Sequence, residues 1–481
     1  DDPRPAKGNV DRQVVRGVTA GTLTEEEALA AREPHWLAAA HVEAERVGLP
    51  GVDVTTGRGL VGELAPQALL DELARIAPAE LLWSPEVTER LPELATEVAK
   101  LLGSRLTERE GWRFARDGAL RALERQLKVK SLEGFGVEPE SAVVPAAGAL
   151  IEYLEETQRA ACEHVRRIEK VEPEGFLVLD RATRSCLELV RTQRDGRREG
   201  TLLDTLDATL PPMGGRLLRE WVLAPLREVE PVLARQRAVA ERVDGPFLRE
   251  ELRELLRPVL DVERLAAKLS TGRASARDLV GLAQSLEVVP GLRGKLEGAY
   301  SARLGELFGA LDPLDDVAGK VRATLVDQPP LPLREGGLVR EGVHDELDEL
   351  RRIAGDAKSA MARFQAEESE RTGMAGLKVG FNSVFGYFIE VPHGQTDRVP
   401  DDYVRKQTVK NAERYITPEL KEFESKVLKA EERSREVEYE LFCALRDEVA
   451  GHVGRILDTA AALAQVDVLA ALAQKAAENR Y

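Results

Sequence analysis

This sequence predicts a multidomain, mainly α fold: a small α/β domain first, then an all-α region whose long antiparallel helices carry a β-rich insertion. Three observations lead there. Leu, Ala, Glu and Arg, all good helix formers, dominate a chain with 32% charged and only 5% aromatic residues. Short apolar runs alternate with amphipathic stretches over about residues 10–130. Two later stretches repeat apolar residues at strict 3–4 spacing, and a β-branched, aromatic segment separates them.

Composition narrows the class further. A length of 481 residues corresponds to three or four ordinary domains, and 43% hydrophobic residues exclude global disorder. No run of ~18 apolar residues occurs, so no membrane span is expected. The start, Asp1-Asp2-Pro3-Arg4, lacks a secretory profile. Cys162, Cys186 and Cys443 are odd in number and far apart, as in a reduced, cytoplasmic protein without a disulfide frame. Lys+Arg total 68 and Asp+Glu 84, a net charge of −16 that taken alone argues against nucleic acid as a partner.

In the first region Val14-Val15 and Trp36-Leu37-Ala38-Ala39-Ala40 predict strands. Gly51-Val52-Asp53-Val54 follows, bounded by a Thr55-Thr56-Gly57 turn. Residues 60–64 predict one more strand, 66–76 a helix, and Leu81-Leu82-Trp83 a strand that ends at Ser84-Pro85. This alternation indicates an α/β domain. Asp53 suits either a turn or the catalytic carboxylate of an RNase H-like nuclease. The further carboxylates that hold Mg²⁺ are missing at matching strand ends, which favours the turn.

From about 145 to 335 helix follows helix. Leu202, Leu203, Leu206 and Leu210 keep helical spacing until Pro211-Pro212, and Met213-Gly214-Gly215 opens the next helix. The glycine pair reads as helix punctuation, because the lysine of a phosphate loop is lacking. The six histidines show no metal-ligand spacing, no Gly-x-Ser-x-Gly elbow occurs, and His393-Gly394 reads as a turn.

The last region holds the two seams. Leu347, Leu350, Ala354, Ala357, Met361 and Phe364 form one, and Leu420, Phe423, Val427, Ala430, Val437, Leu441 and Ala444 the other. Between them Leu377, Val379, Phe381, Tyr387, Ile389 and Val391 alternate as strands do. The expected geometry is an antiparallel stalk with the insert at its far end, each helix reaching on the order of 45 Å. Within the insert, Arg405, Lys406, Lys410 and Arg414 stand against Glu413, a net +3 in twelve residues, with Tyr403, Gln407 and Asn411 interleaved. Such a cluster suits a phosphate backbone, where cations release counterions and amides orient the contact.

The strings Gly376-Leu377-Lys378-Val379-Gly380-Phe381-Asn382, Gly386-Tyr387-Phe388-Ile389-Glu390-Val391 and Gln407 through Tyr415 resemble the clamp segment of the bacterial MutS family of DNA mismatch-recognition proteins. Glu419-Leu420-Lys421-Glu422-Phe423-Glu424 fits its returning helix. Thr205-Leu206-Asp207, Gly214 to Leu218 and Trp221 to Leu226 resemble the start of the family's helical core, and Val15-Arg16 to Leu23 the start of its connector domain. The resemblance covers almost all of the chain in the family's order. It implies an RNase H-like connector over 1–135, a linker helix over 136–175, and the helical core with the first lever helix over 176–375. A β-rich clamp over 376–415 and the returning lever over 416–481 complete the order.

By the same resemblance, Arg405, Lys406, Lys410, Asn411 and Arg414 would contact double-stranded DNA through its backbone, with Lys378 and Asn382 as further candidates across the hairpin. The chain would be the non-catalytic middle of a cytoplasmic, nucleoid-associated homodimer whose connector receives a MutL-type partner. The aromatic-x-Glu mismatch reader would lie before Asp1, and the ATPase domain with its ATP and Mg²⁺ beyond Tyr481. Phe388-Ile389-Glu390 matches the bare reader pattern but sits in a clamp strand, so it reads as coincidence. Gly294-Lys295 and Gly319-Lys320 are followed by Leu296 and Val321, so neither is a Walker A loop and no cofactor is expected on this chain. The alternative is a coiled-coil architectural protein whose β insert docks a protein partner.

Overall fold

The computed structural model describes residues 17–23, 29–127, 129, 132, 137–158, 165, 167–170, 175–382 and 386–480, without the side chains of 158, 167–170 and 357–359. The strand expected at Val14-Val15 lies outside these residues. The chain forms two compact units, one of residues 1–274, 281–319 and 446–481, the other of 275–280 and 320–445.

The first unit opens with one mixed sheet. Its strands are β1 (Trp36–Glu43), β2 (Arg46–Gly48), β3 (Gly51–Asp53), β4 (Arg58–Val61), β5 (Glu63–Leu64), β6 (Glu80–Trp83), β7 (Leu106–Glu108) and β8 (Arg167–Lys170). β1 pairs antiparallel with β2 and β3 on one side and parallel with β6 on the other (Leu37↔Val52, Ala39↔Leu82). An antiparallel meander continued by parallel strands is the RNase H-like arrangement. Alternate residues of β1 face two cores: Trp36, Ala38, Ala40 and Val42 pack with Leu69 and Leu73, while Leu37 and Ala39 pack with Val144 and Leu154. Burial on both faces explains why β1 is apolar without alternation.

Two expectations for this domain change. The strand at 60–64 is split at Gly62, whose carbonyl accepts the Leu49 N–H at 2.8 Å. Within 136–175, expected as a linker helix, helix Val143–Gln158 is part of the α/β domain and buries Val144, Ala147, Leu150, Ile151 and Leu154 against the sheet. β8 then joins β4 in parallel register (Gly59↔Ile168). Helix Arg116–Leu127 shares this core, contributing Ala119, Ala122 and Leu123.

The rest of the unit is helical and surrounds helix Val453–Asn479, against which Pro212–Leu223, Val229–Asp244, Pro246–Leu256, Val262–Ser270 and Ala302–Ala310 pack. An 18-residue window of this central helix has a mean hydropathy of 1.6, enough for a membrane span by composition, yet 72% of the window is buried inside the unit. It is apolar on all sides because protein surrounds it on all sides. Gly214 and Gly215 lie within the first turn of the 212–223 helix rather than ahead of it. Space explains the choice at Gly214, where a Cβ would sit 1.9 Å from Asp467 Oδ2.

Asp467 is fully buried and accepts the Leu210 N–H at 3.0 Å. Burial pushes its carboxyl up to about 7, well above the ~3.9 of an unfolded chain. A folded pKa above the unfolded one gives stability that is complete below about pH 4 and is lost as pH rises towards 7. Asp467→Asn keeps an acceptor for Leu210 and removes the charge. It is expected to raise the melting temperature at pH 8 by several degrees, about 1–4 kcal/mol, and to change little at pH 4. Equal shifts at the two pH values would contradict this.

In the second unit the first seam is carried by two helices, Asp345–Gly355 and Ala357–Thr372, broken at Asp356 where one helix was expected. The second seam lies on one helix, Pro418–Ala450, whose 33 residues span roughly 50 Å. The pairing is antiparallel. Phe364 and Leu420 share one core at one end, while Arg351 pairs with Glu438 (2.9 Å) and Glu346 with Arg433 (3.3 Å) at the other. Glu438 is buried and also accepts the Leu338 N–H at 2.6 Å, tying the 338–339 strap to the long helix.

The insert is a second sheet of four antiparallel strands, β9 (Lys378–Asn382), β10 (Gly386–Pro392), β11 (Val404–Val409) and β12 (Ala412–Ile416), ordered β11-β12-β10-β9. Ile389 pairs with Val379 on one side and Tyr415 on the other. β10 starts at Gly386, with φ 75° and a missing Cβ that would lie on the Glu424 carboxylate. Only glycine meets both demands.

Candidate nucleic-acid interface

Strand alternation sorts the insert into two faces. Leu377, Ile389, Val391 and Tyr415 turn inward and form one core with Phe364, Met374, Tyr403 and Leu420. Tyr403 donates its hydroxyl to Glu368 at 2.7 Å, and Arg371 bridges Glu368 (2.8 Å) and Asp402 (3.0 Å). Burial and the Glu368 contact raise the Tyr403 phenol, and burial with a hydrogen bond to Glu413 pushes Tyr415 up to about 12. Both phenols therefore stay neutral donors at physiological pH.

The outward face carries a cross-strand row in register, Lys378–Glu390–Arg414–Gln407. Arg414 donates to Glu390 at 3.0 Å and to Gln407 at 3.1 Å, and its guanidinium lies 4.3 Å from the centre of the Phe388 ring. Phe388 is buried beneath it, so this aromatic is not presented for stacking on a base. Asn382 is half-buried at the other end of β9.

β11 departs from regular pairing between Arg405 and Gln407, which leaves Lys406 as the extra residue of a bulge. A bulged lysine on an edge strand also discourages pairing with a foreign strand. Arg405 pairs with Glu413 at 3.3 Å. Lys410 and Asn411 form the two-residue hairpin loop from β11 to β12. β12 runs from this loop towards Pro418, so the loop lies at the sheet end away from the start of the long helix, roughly 15 Å off. His393 buttresses it: its N–H donates to the Asn411 carbonyl (3.3 Å) and its Nε2 to the Val409 carbonyl (3.1 Å).

Of the seven residues singled out from sequence, six fall into two groups, and Asn382 stands apart, half-buried in β9. Lys378, Lys406 and Lys410 are exposed and make no ion pair among the described residues, and Asn411 is exposed beside Lys410. Arg405 and Arg414 are held by Glu413 and Glu390 within the sheet. His393, read from sequence only as part of a turn, supports the loop, and the role of Glu390 emerges only from the strand register that sets it across from Arg414.

Asp53 is 2% exposed; its Oδ1 accepts the Thr55 N–H (2.9 Å) and hydroxyl (2.6 Å), and its Oδ2 the His35 N–H (3.2 Å). That is the bonding of a turn. Among the described residues no cluster of three His, Cys, Asp or Glu side chains is placed to hold a metal.

Arg414 and Glu390 are partly buried, so a double-mutant cycle to Ala, read on the calorimetric transition of the 320–445 unit, is expected to give a coupling of about 1 kcal/mol. Lys406→Ala and Lys410→Ala are expected within about 0.5 kcal/mol of the parent. Zero coupling would contradict the assignment of Arg414 to the sheet.

Comparison with known proteins fits this geometry. Residues 35–166 match the family model of MutS domain II, and residues 182–473 that of MutS domain III. The DNA mismatch repair protein MutS of Symbiobacterium thermophilum is 44% identical over 485 residues, covering 100% of this chain and 55% of that protein. The protein of the same name from Salinibacter ruber is 42% identical, covering 98% of this chain and 52% of its own length. That of Halothermothrix orenii is 41% identical, covering 100% and 54%. The chain spans about half the length of these relatives.

Proposed function

The chain belongs to the MutS family, and from that membership we propose that it holds duplex DNA by its phosphate backbone, without reading sequence, and relays state between domains outside it. The observation that supports this best is the set of exposed lysines that make no ion pair among the described residues, Lys378, Lys406 and Lys410, with Asn411, on one sheet of a chain whose net charge is −16. Lysine is a strongly hydrated point charge that needs no fixed geometry, which suits a backbone contact made at any sequence. Arg405 and Arg414 stiffen the sheet that presents them.

In this reading the α/β domain docks a MutL-type partner, and the intact protein acts as a homodimer around DNA at the nucleoid. ATP and Mg²⁺ would act in a separate ATPase domain, and this chain would itself be non-catalytic.

The test is a fluorescence-anisotropy titration with random duplex over a range of salt. Weak binding with a steep salt dependence is expected. Replacing Lys406 and Lys410 by Ala should reduce the slope of log affinity against log salt by about 0.9 for each phosphate that is no longer neutralised. Arg405→Ala should leave the slope nearly intact. An unchanged slope in the double-lysine variant would remove those residues from the interface. No binding at tens of micromolar protein would favour the protein-docking alternative.

A further inference from the structure

The first unit holds a second feature that no DNA contact explains, a cavity of about 480 Å³ that opens to solvent on one side. It lies between the α/β sheet and the helices Pro212–Leu223 and Val453–Asn479, with Leu60, Ile76, Leu177, Met213, Leu217 and Leu457 among its apolar walls. Its volume is in the range of about 300–1,000 Å³ typical of small-molecule sites.

Five arginines line this cavity, and three are neutralised in place. Arg58 binds Glu220 at 2.8 Å, Arg75 binds Glu72 at 2.8 Å, and Arg216 binds Asp261 (2.6 Å) and Glu263 (2.7 Å). The remaining lining acids are also satisfied: Asp53 by its turn, and Asp71 by the Arg181 N–H at 2.7 Å. Two arginines are left with unused donors. Arg184 gives Nη1 to the Asp71 carbonyl at 2.6 Å, but its Nε is buried with no partner. Arg219 is 8% exposed, and its guanidinium makes no hydrogen bond or ion pair among the described residues.

A largely buried guanidinium with no hydrogen-bonded carboxylate is costly, and an anion bound beside it lowers that cost. Burial lowers the affinity of both Arg184 and Arg219 for their protons; Glu72 near Arg184 and Glu33 near Arg219 offset this only in part, and Arg75 is a like-charged neighbour of each. An incoming anion relieves both penalties. Water alone would satisfy donors but would wet the apolar walls.

We propose that this cavity binds a small amphipathic organic anion, a carboxylate or phosphate monoester on an apolar body, anchored by Arg219 with Arg184 Nε as a second donor.

The test is isothermal titration calorimetry of the 481-residue chain, in phosphate-free buffer, with naphthalene-2-carboxylate, 2-naphthyl phosphate and the neutral naphthalene-2-methanol. One anion is expected to bind one-to-one and at least tenfold tighter than the alcohol, and the tighter of the two identifies the head group. Arg219→Met should erase that preference, a loss of about tenfold or more, and Arg184→Met should reduce it. Without ligand, Arg219→Met should raise the melting temperature, because it removes an unpaired buried charge. Equal binding of anion and alcohol, anion affinity unchanged in Arg219→Met, no binding at millimolar concentration, or a lowered melting temperature in Arg219→Met would each overturn the proposal. If Arg219→Met does not fold, the same anion preference measured in Arg184→Met decides it.

Discussion

The second unit depends on one small core. Four strands of five to seven residues bury too little to stand alone, and this sheet persists because Ile389, Val391 and Tyr415 close against Phe364, Met374 and Leu420 from the flanking helices. The same contact fixes which face turns outward. A slip of one residue would bring Lys378, Glu390 and Arg414 inward and expose the isoleucine and valine. The buried Tyr403–Glu368 hydrogen bond, with the exposed Arg371 bonded to Glu368, reinforces the register from the inner side. Presentation of the outer face is thus a consequence of packing on the inner one.

Charge is arranged by the same geometry. The +3 counted between Tyr403 and Arg414 suggests four equivalent cations. In the folded sheet the arginines pair with carboxylates across strands, whereas Lys406 on a bulge and Lys410 in a hairpin loop make no ion pair among the described residues, and Lys378 on an edge strand lies across from Glu390, whose carboxylate is taken by Arg414. Arginine suits the first role because its planar fork bonds two partners and lies flat over Phe388. A body with excess acid and a few exposed lysines on one sheet favours contact at that sheet over coating of the whole surface.

Much of this was legible in the sequence because it is local. The apolar run of β1, the paired seams and the alternating insert are read within a dozen residues each. Features set by distant partners were not. Helix Val143–Gln158 looks like a connector until the exposed face of the sheet it covers is known. Gly214 reads as punctuation until Asp467, some 250 residues later, is found against it. The break at Asp356 lies in a seam whose spacing continues straight through it, so periodicity gave no sign of it. Arg414 resembles a surface cation until Glu390 is placed across from it by strand register. At the site, residue types were readable, and the division between structural and exposed cations was not.

The most direct test of the dependence of the sheet on its shared core is native-state hydrogen exchange on a Leu420→Ala variant, which opens that core from the helix side without touching any strand. Amides of β10 and β12 are expected to lose protection together, by about 2–4 kcal/mol, while those near the Glu438 strap keep theirs. Strand amides as protected as in the parent protein would show that the sheet stands without the helices, and would contradict the account.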